Sequence, residues 1–151
     1  GLLLLARRVR ILAVCPFYVT APIGRPEQPD YLNGVVVVEH GDGPAALRDG
    51  ILRPVEAARG RARTADAYAA RTLDLDVLLY GDRTGHEAGM TLPDPHLWER
   101  PFLAAAALAV LPGLVVPGTG RPLRELTDPV AVAACRGADA FTERLREMFE
   151  R

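Results

Sequence analysis

Apolar residues are not spread evenly along this chain. Residues 9–17 and 31–39 are dense in β-branched and aromatic positions, with an unbroken apolar run at Val35, Val36, Val37 and Val38. Both predict strands, the second buried on both faces or nearly so. Residues 72–80 alternate instead: Leu73, Leu75 and Val77 fall on one side, Asp74 and Asp76 on the other. That period predicts a half-buried strand, ended by a turn at Gly81 and Asp82. Residues 114–116 read as a further brief strand. Pro44 opens a helical stretch through Ala58, with proline in the first turn where its missing N–H costs little, and Pro54 is expected to kink or split it. Residues 1–7 read as the end of a helix, 102–111 as a short Ala-rich helix, and 139–150 as an amphipathic one with Phe141, Leu145, Met148 and Phe149 on one side. Residues 20–30, with Pro22, Gly24, Pro26 and Pro29, predict a stiffened loop. The Arg/Ala-rich stretch 60–70 lacks a core face and is expected to be a mobile loop, and 84–90 a loop or poor hairpin. Interleaved strands and helices imply an α+β fold of ferredoxin-like type, an α/β sandwich whose mainly antiparallel sheet is covered by helices.

At 151 residues and 49% hydrophobic, the chain is expected to form one domain with a substantial core. Its 18 basic and 19 acidic residues leave a net charge of −1. That balance gives no general drive toward nucleic acid or anionic membranes, and neither is expected as a partner. Arg dominates every basic cluster, and its planar fork suits phosphate. No apolar run reaches membrane-spanning length. Cys15 and Cys135 lack a CxxC partner and read as reduced thiols of a cytoplasmic protein.

The alternation at 72–80 gives the clearest chemistry. Side chains at i and i+2 on a strand share a face, so Asp74 and Asp76 point the same way. Two ionised carboxylates held together repel, and a hard dication resolves that repulsion. An exposed strand face would carry the same pair. Arg61, Arg63 and Arg71 lie just upstream, and carboxylates beside arginines are the composition of a phosphoryl-transfer site.

The stretch Arg71-Thr-Leu-Asp-Leu-Asp-Val-Leu-Leu-Tyr-Gly-Asp82 closely resembles the signature of the 6-hydroxymethyl-7,8-dihydropterin pyrophosphokinase family. Further segments agree in order: residues 18–24 and 27–33 resemble a pterin loop, Glu56 with residues 60–63 a helix end and catalytic loop, and residues 92–102 a nucleotide-clamping segment. The resemblance covers about residues 9–126. It implies transfer of the β,γ-diphosphate of ATP to the hydroxymethyl oxygen of a reduced pterin, with two magnesium ions, in folate biosynthesis. It implies that Asp74 and Asp76 hold the metal and help orient the attacking hydroxyl, and that Arg63 and Arg71 grip phosphates, supported by Arg61 and Arg100. Glu56, Val77 and Thr91 are implied to frame the nucleotide. Thr20, Ala21 and Ile23 are implied to contact the pterin, Asn33 to read its edge, and Tyr31 and Phe102 to stack on its ring. The bottom-up chemistry agrees: an amide offers both donor and acceptor, and aromatic faces suit flat heterocycles.

Three departures accompany the resemblance. Family members open with a strand and a Gly-Ser-Asn loop, whereas residues 1–7 resemble only the tail of the helix that follows. In a ferredoxin-like sheet that strand is internal, so open backbone edges are expected here. Asp94 stands where the family usually has His, and would repel ATP unless a cation sits beside it. His96 is read as a solvent-facing loop histidine. Tyr68, Ala69 and Ala70 replace a usual Trp-Gly-Pro, bearing on closure over ATP. These departures motivate an alternative, a catalytically impaired relative acting as a binding or assembly module.

Overall fold

The computed structural model describes residues 1–22, 26–61 and 72–149. Arg63, Arg71, Ile23, the 68–70 stretch and most of the 60–70 loop therefore lie outside the described residues, as does the side chain of Phe149. Helix α1 (Leu2–Ala6) leads into β1 (Arg10–Val14), followed by β2 (Tyr18–Thr20), β3 (Tyr31–Asn33) and β4 (Val36–Glu39). The single strand expected over 31–39 is interrupted at Gly34. A Cβ there would come within 2.9 Å of the Phe17 ring, so the chain passes close only because the residue is glycine.

The proline-containing helix takes the expected break as a change of winding. Helix α2 (Pro44–Leu47) passes through a π turn (Arg48–Leu52) into α3 (Arg53–Ala58). Pro54 offers no N–H to the ordinary i−4 carbonyl, and wider winding relieves that mismatch locally. Of the loop or poor hairpin expected at 84–90, the hairpin forms, from β5 (Gly85–Glu87) and β6 (Met90–Leu92), with Ala88 and Gly89 both at positive φ in its turn. Next come α4 (His96–Glu99), α5 (Pro101–Val110), β7 (Val115–Val116), β8 (Arg121–Pro122), α6 (Leu123–Leu126), α7 (Pro129–Ala133) and α8 (Asp139–Phe149). Phe17 and Phe141 meet edge to face at 5.1 Å, docking α8 beside β2. Leu145 is buried but Met148 is exposed, because the last turn of α8 runs beyond the core.

The α+β class holds. The strands pair in two-stranded antiparallel ladders, β1 with β4, β2 with β3, β5 with β6 and β7 with β8. Residues 72–80, expected as a strand, belong to no ladder. The physical reason is spacing. A cavity of about 400 Å³ separates β4 from residues 74–81, with Leu5, Leu47, Leu97 and Ala107 among its walls. Among the described residues, and apart from the turn bond of Arg83 to Tyr80, a single backbone bond reaches the segment, from the Asp94 N–H to the Leu78 carbonyl, and one bond does not make a ladder. Among the described residues, the N–H groups of Asp76, Val77, Leu78, Leu79 and Tyr80 find no hydrogen-bond partner.

The segment is still held by side chains. Val77 joins a core cluster with Leu5, Val9, Leu47, Leu52 and Leu92, with Leu75 and Tyr80 packed against it. Leu78 and Leu79 pack on a second cluster of Leu97, Ala107, Val116 and Leu123. The Leu78 carbonyl accepts from the Asp94 N–H at 2.8 Å. The Tyr80 hydroxyl donates to the His40 carbonyl at 3.0 Å and accepts from the Gly43 N–H at 2.9 Å. Native-state hydrogen exchange checks this: the amides of residues 76–80 are expected to exchange near the open-chain rate, while those of Ala104, Ala105, Ala106 and Ala107 in α5 stay protected. Equal protection of both sets would contradict a segment without a ladder.

Candidate functional site

Asp74 and Asp76 are exposed, while Leu73 and Leu75 are half-buried and Val77 is buried. The period-two pattern thus survives without a ladder, and both carboxylates stand on the outer face. Their position is set by Glu56, which lies in the last turns of α3 and is only 3% exposed. Its Oε1 accepts the Leu75 N–H, between the two aspartates, at 2.7 Å. The same oxygen pairs with Arg61 Nη1, and that nitrogen also pairs with Asp74 Oδ1. One arginine thus bridges a buried and an exposed carboxylate. Losing its acceptor would leave the Leu75 N–H unsatisfied at a cost of about 1–3 kcal/mol.

Asp76 is left the more strained of the pair. Its carboxylate opens to solvent on one side, but protein atoms crowd the others. That burial raises its pKa above the usual carboxylate range, and the like charges of Asp74, Asp94 and Glu56 add to the rise, with Arg61 opposing. The same electrostatics favour a dication. Among the described residues no cluster of three or more His, Cys, Asp or Glu closes around one point. A metal here would therefore take the aspartates and complete its shell with water or substrate oxygens, as magnesium does with one or two carboxylates. The donor set fits that ion.

A cavity of about 310 Å³ adjoins the pair, lined by Asp76, Val77, Thr91, Asp94, His96 and Arg48 among others. Glu56, Arg61, Asp74, Asp76, Val77 and Thr91 are thus gathered in or beside one region. Thr91 stands opposite His86 in the β5–β6 hairpin. Arg100 joins through His96, its Nη2 lying 3.4 Å from His96 Nε2. His96 is exposed, as expected, but it opens α4 and does not lie in a loop. The Asp94 carboxylate holds its ring, with Nδ1 at 3.1 Å from Oδ1, and the residue lines the cavity. Arg48 is a lining residue that sequence reasoning passed over. Its Nε and Nη2 hydrogen-bond Asp49, and Nη1 donates to the Ala88 carbonyl, which ties the π turn to the hairpin. Nothing in its helical neighbourhood signals that role.

Most of the residues expected at the pterin form a separate group on and beside the β2–β3 hairpin. Asn33 Nδ2 donates to Thr20 Oγ1 at 2.6 Å, across the ladder that pairs Tyr18 with Asn33 and Thr20 with Tyr31. The Tyr31 hydroxyl donates to Gln28 Oε1 at 2.6 Å. Ala21 follows directly and is exposed, and Phe102 is half-buried in the first turn of α5, the helix that touches β2.

The sequence profile of the 7,8-dihydro-6-hydroxymethylpterin-pyrophosphokinase family matches residues 2–112. The chain belongs to that family. A Pseudomonas aeruginosa protein named 2-amino-4-hydroxy-6-hydroxymethyldihydropteridine pyrophosphokinase is 35% identical over 126 residues, covering 83% of this chain and 73% of that protein. A Synechocystis protein of the same name is 36% identical over 109 residues, covering 72% of this chain and 55% of its own length. The folic acid synthesis protein of Schizosaccharomyces pombe is 35% identical over 133 residues, covering 88% of this chain and 18% of that longer protein. The chain therefore spans about half of the cyanobacterial relative and less than a fifth of the yeast one.

The raised pKa of Asp76 has a testable sign. A carboxyl whose folded pKa exceeds its unfolded one stabilises the fold while protonated, and that advantage is lost as pH rises through the folded pKa. At neutral pH, Asp76→Asn is therefore expected to raise the thermal midpoint. The gain should shrink as pH falls into the carboxylate range, where wild-type Asp76 is also neutral. Magnesium should stabilise the wild type and not the variant. Thermal unfolding from pH 4 to 8, with and without Mg2+, measures this, and a destabilised variant at pH 7 would contradict it.

Proposed function

We propose that this chain carries out the diphosphate transfer of its family. ATP and 6-hydroxymethyl-7,8-dihydropterin are the substrates, AMP leaves, and folate biosynthesis uses the product. The observation that carries the reading is the exposed Asp74–Asp76 pair, fastened from behind by buried Glu56 and bordered by the cavity. The two bacterial relatives' names support it. No helix among the described residues is long and apolar enough to cross a membrane, and we place the protein in the cytoplasm.

The pterin hydroxymethyl oxygen forms a bond to the β-phosphorus as the bridge to the α-phosphorus breaks, and AMP carries away the bridging oxygen. Magnesium, as two ions, supplies charge neutralisation and alignment of the triphosphate when bound. Asp74 and Asp76 hold it and orient the attacking hydroxyl. Arg61 keeps Asp74 in place while remaining anchored on Glu56. Arg63 and Arg71 grip the phosphates on the reading that the family resemblance gives them. Val77 and Thr91 frame the nucleotide, with Arg100 near the phosphates. Thr20, Ala21, Ile23 and Asn33 hold the pterin edge, and Tyr31 and Phe102 cover its ring.

A second reading, a non-catalytic binding or assembly module, is favoured by Asp94 on the cavity wall and by the lack of a ladder at residues 76–80. One assay separates the two. Chromatography of a reaction with Mg·ATP and the reduced hydroxymethyl pterin is expected to show AMP and pterin diphosphate in equal amounts. Asp74→Asn should lose that activity by orders of magnitude with little change in thermal midpoint. Absence of both products from the folded wild type would favour the binding module.

A further inference from the structure

Strand β2 is bordered on both edges. One edge carries the ladder to β3, and the other meets residues 136–138, where Tyr18 and Gly137 stand opposite each other as an antiparallel bridge. The Val19 N–H donates to the Arg136 carbonyl at 2.9 Å, and the Ala138 N–H donates to the Phe17 carbonyl at 2.7 Å. Helix α8 begins directly after, and its Thr142 is buried, at 6% exposed. Thr142 Oγ1 accepts the Phe17 N–H at 2.9 Å and donates to the Ala138 carbonyl at 3.0 Å. One hydroxyl thus pins the approach to β2 onto the start of the last helix. Its neighbour Phe141 meets the Phe17 ring edge to face, and that ring in turn leaves no room for a Cβ on Gly34. Gly34 follows Asn33, so contact runs from α8 through Phe17 to the end of β3. The Arg136–Asp30 ion pair at 2.9 Å is exposed on both sides and adds little. Residues 136–142 all lie beyond the stretch that matches the family, 2–112.

An amide selects a ligand edge only if it is held in one direction. Asn33 Nδ2 donates to Thr20 Oγ1 at 2.6 Å, so the two side chains orient each other across the ladder. That bond depends on the register of two strands of three residues each. A two-stranded hairpin is marginal by itself, and a third strand or a packed helix steadies it. Residues 136–138 and α8 supply both. We propose that Thr142 is a positioning residue for the pterin: through the Phe17 N–H it fixes the β2–β3 hairpin so that Thr20 and Asn33 meet the pterin edge together. The C-terminal segment then sets the substrate site without touching the substrate. Asp74 and Asp76 are fastened elsewhere, by Glu56 and the two core clusters, so the nucleotide side does not depend on this pin. The inference rests on the diphosphate-transfer reading above, which seats the pterin at this hairpin.

Two titrations and steady-state kinetics test it. Isothermal titration first follows the magnesium complex of α,β-methylene-ATP, whose scissile bridge is blocked, and then 6-hydroxymethylpterin added to the nucleotide-saturated protein. Thr142→Val keeps the shape of the side chain and leaves the Phe17 N–H without its acceptor. It is expected to weaken pterin binding, and to raise the pterin KM, by about tenfold. Nucleotide affinity and kcat should stay within about twofold of wild type, the split expected when only substrate binding is lost. Thr142→Ser restores the hydroxyl and should bind pterin as the wild type does. Phe141→Leu keeps both hydroxyl bonds and loses the ring contact with Phe17, and should weaken pterin binding by about threefold. It serves as the test if thermal unfolding shows that Thr142→Val does not fold. Unchanged pterin affinity in the folded variants, or pterin and nucleotide affinities that fall together, would overturn the proposal. No pterin binding and no turnover by folded wild-type protein would instead remove the reading beneath it, and this inference with it.

Discussion

The hydrogen bond from the Leu75 amide to the buried Glu56 carboxylate sits between Asp74 and Asp76 and stands in for a β-ladder that residues 76–80 lack. In a sheet, flanking strands set the position of each residue. Here the Glu56 contact works with the Leu78–Asp94 bond and the Tyr80 hydroxyl, while Leu75, Val77, Leu78 and Leu79 pack into two core clusters. The fasteners hold the segment at intervals, so the carboxylates keep a defined face while the intervening backbone stays open.

That arrangement concentrates negative charge. Glu56, Asp74, Asp76 and Asp94 all act on the same small region, and among the described residues Arg61 is the cation in contact with Glu56 and Asp74. Buried carboxylates are tolerable only when hydrogen-bonded or paired. Glu56 meets that condition through Leu75 and Arg61. Asp94 meets it through His96. Asp76 stays open to solvent on one side, and crowding by protein atoms together with the like charges of Asp74, Asp94 and Glu56 raises its pKa. On the proposed function, a cation bound at Asp76 would relieve that repulsion and bring the phosphates with it.

Much of this was legible in the sequence where the signal is local. The alternation of Leu73, Leu75 and Val77 with Asp74 and Asp76 correctly orients both aspartates, and Pro54 marks the helix that changes winding. The missing ladder at residues 72–80 was not legible, because pairing depends on a neighbour that no local pattern specifies. The division of 31–39 at Gly34 depends on the Phe17 ring, a long-range contact. Glu56 was assigned to the nucleotide from resemblance, whereas its grip on Leu75, 19 residues away, follows only from the fold. His96 is exposed, as read, but nothing in Leu-Pro-Asp-Pro-His shows that the aspartate two residues earlier holds its ring. The roles of Arg63, Arg71 and Ile23 rest on the signature alone.

On the proposed function, Glu56 would shape the metal site at Asp74 and Asp76 through the Leu75 N–H without touching the ion. Electron paramagnetic resonance of Mn2+, titrated as a stand-in for magnesium, tests it through two substitutions of similar size. Glu56→Gln keeps an oxygen to accept the Leu75 N–H, and Glu56→Leu removes it. The account predicts Mn2+ affinity close to wild type for Gln and clearly weaker for Leu in folded protein. Equal affinity for both, with the fold intact, would contradict it.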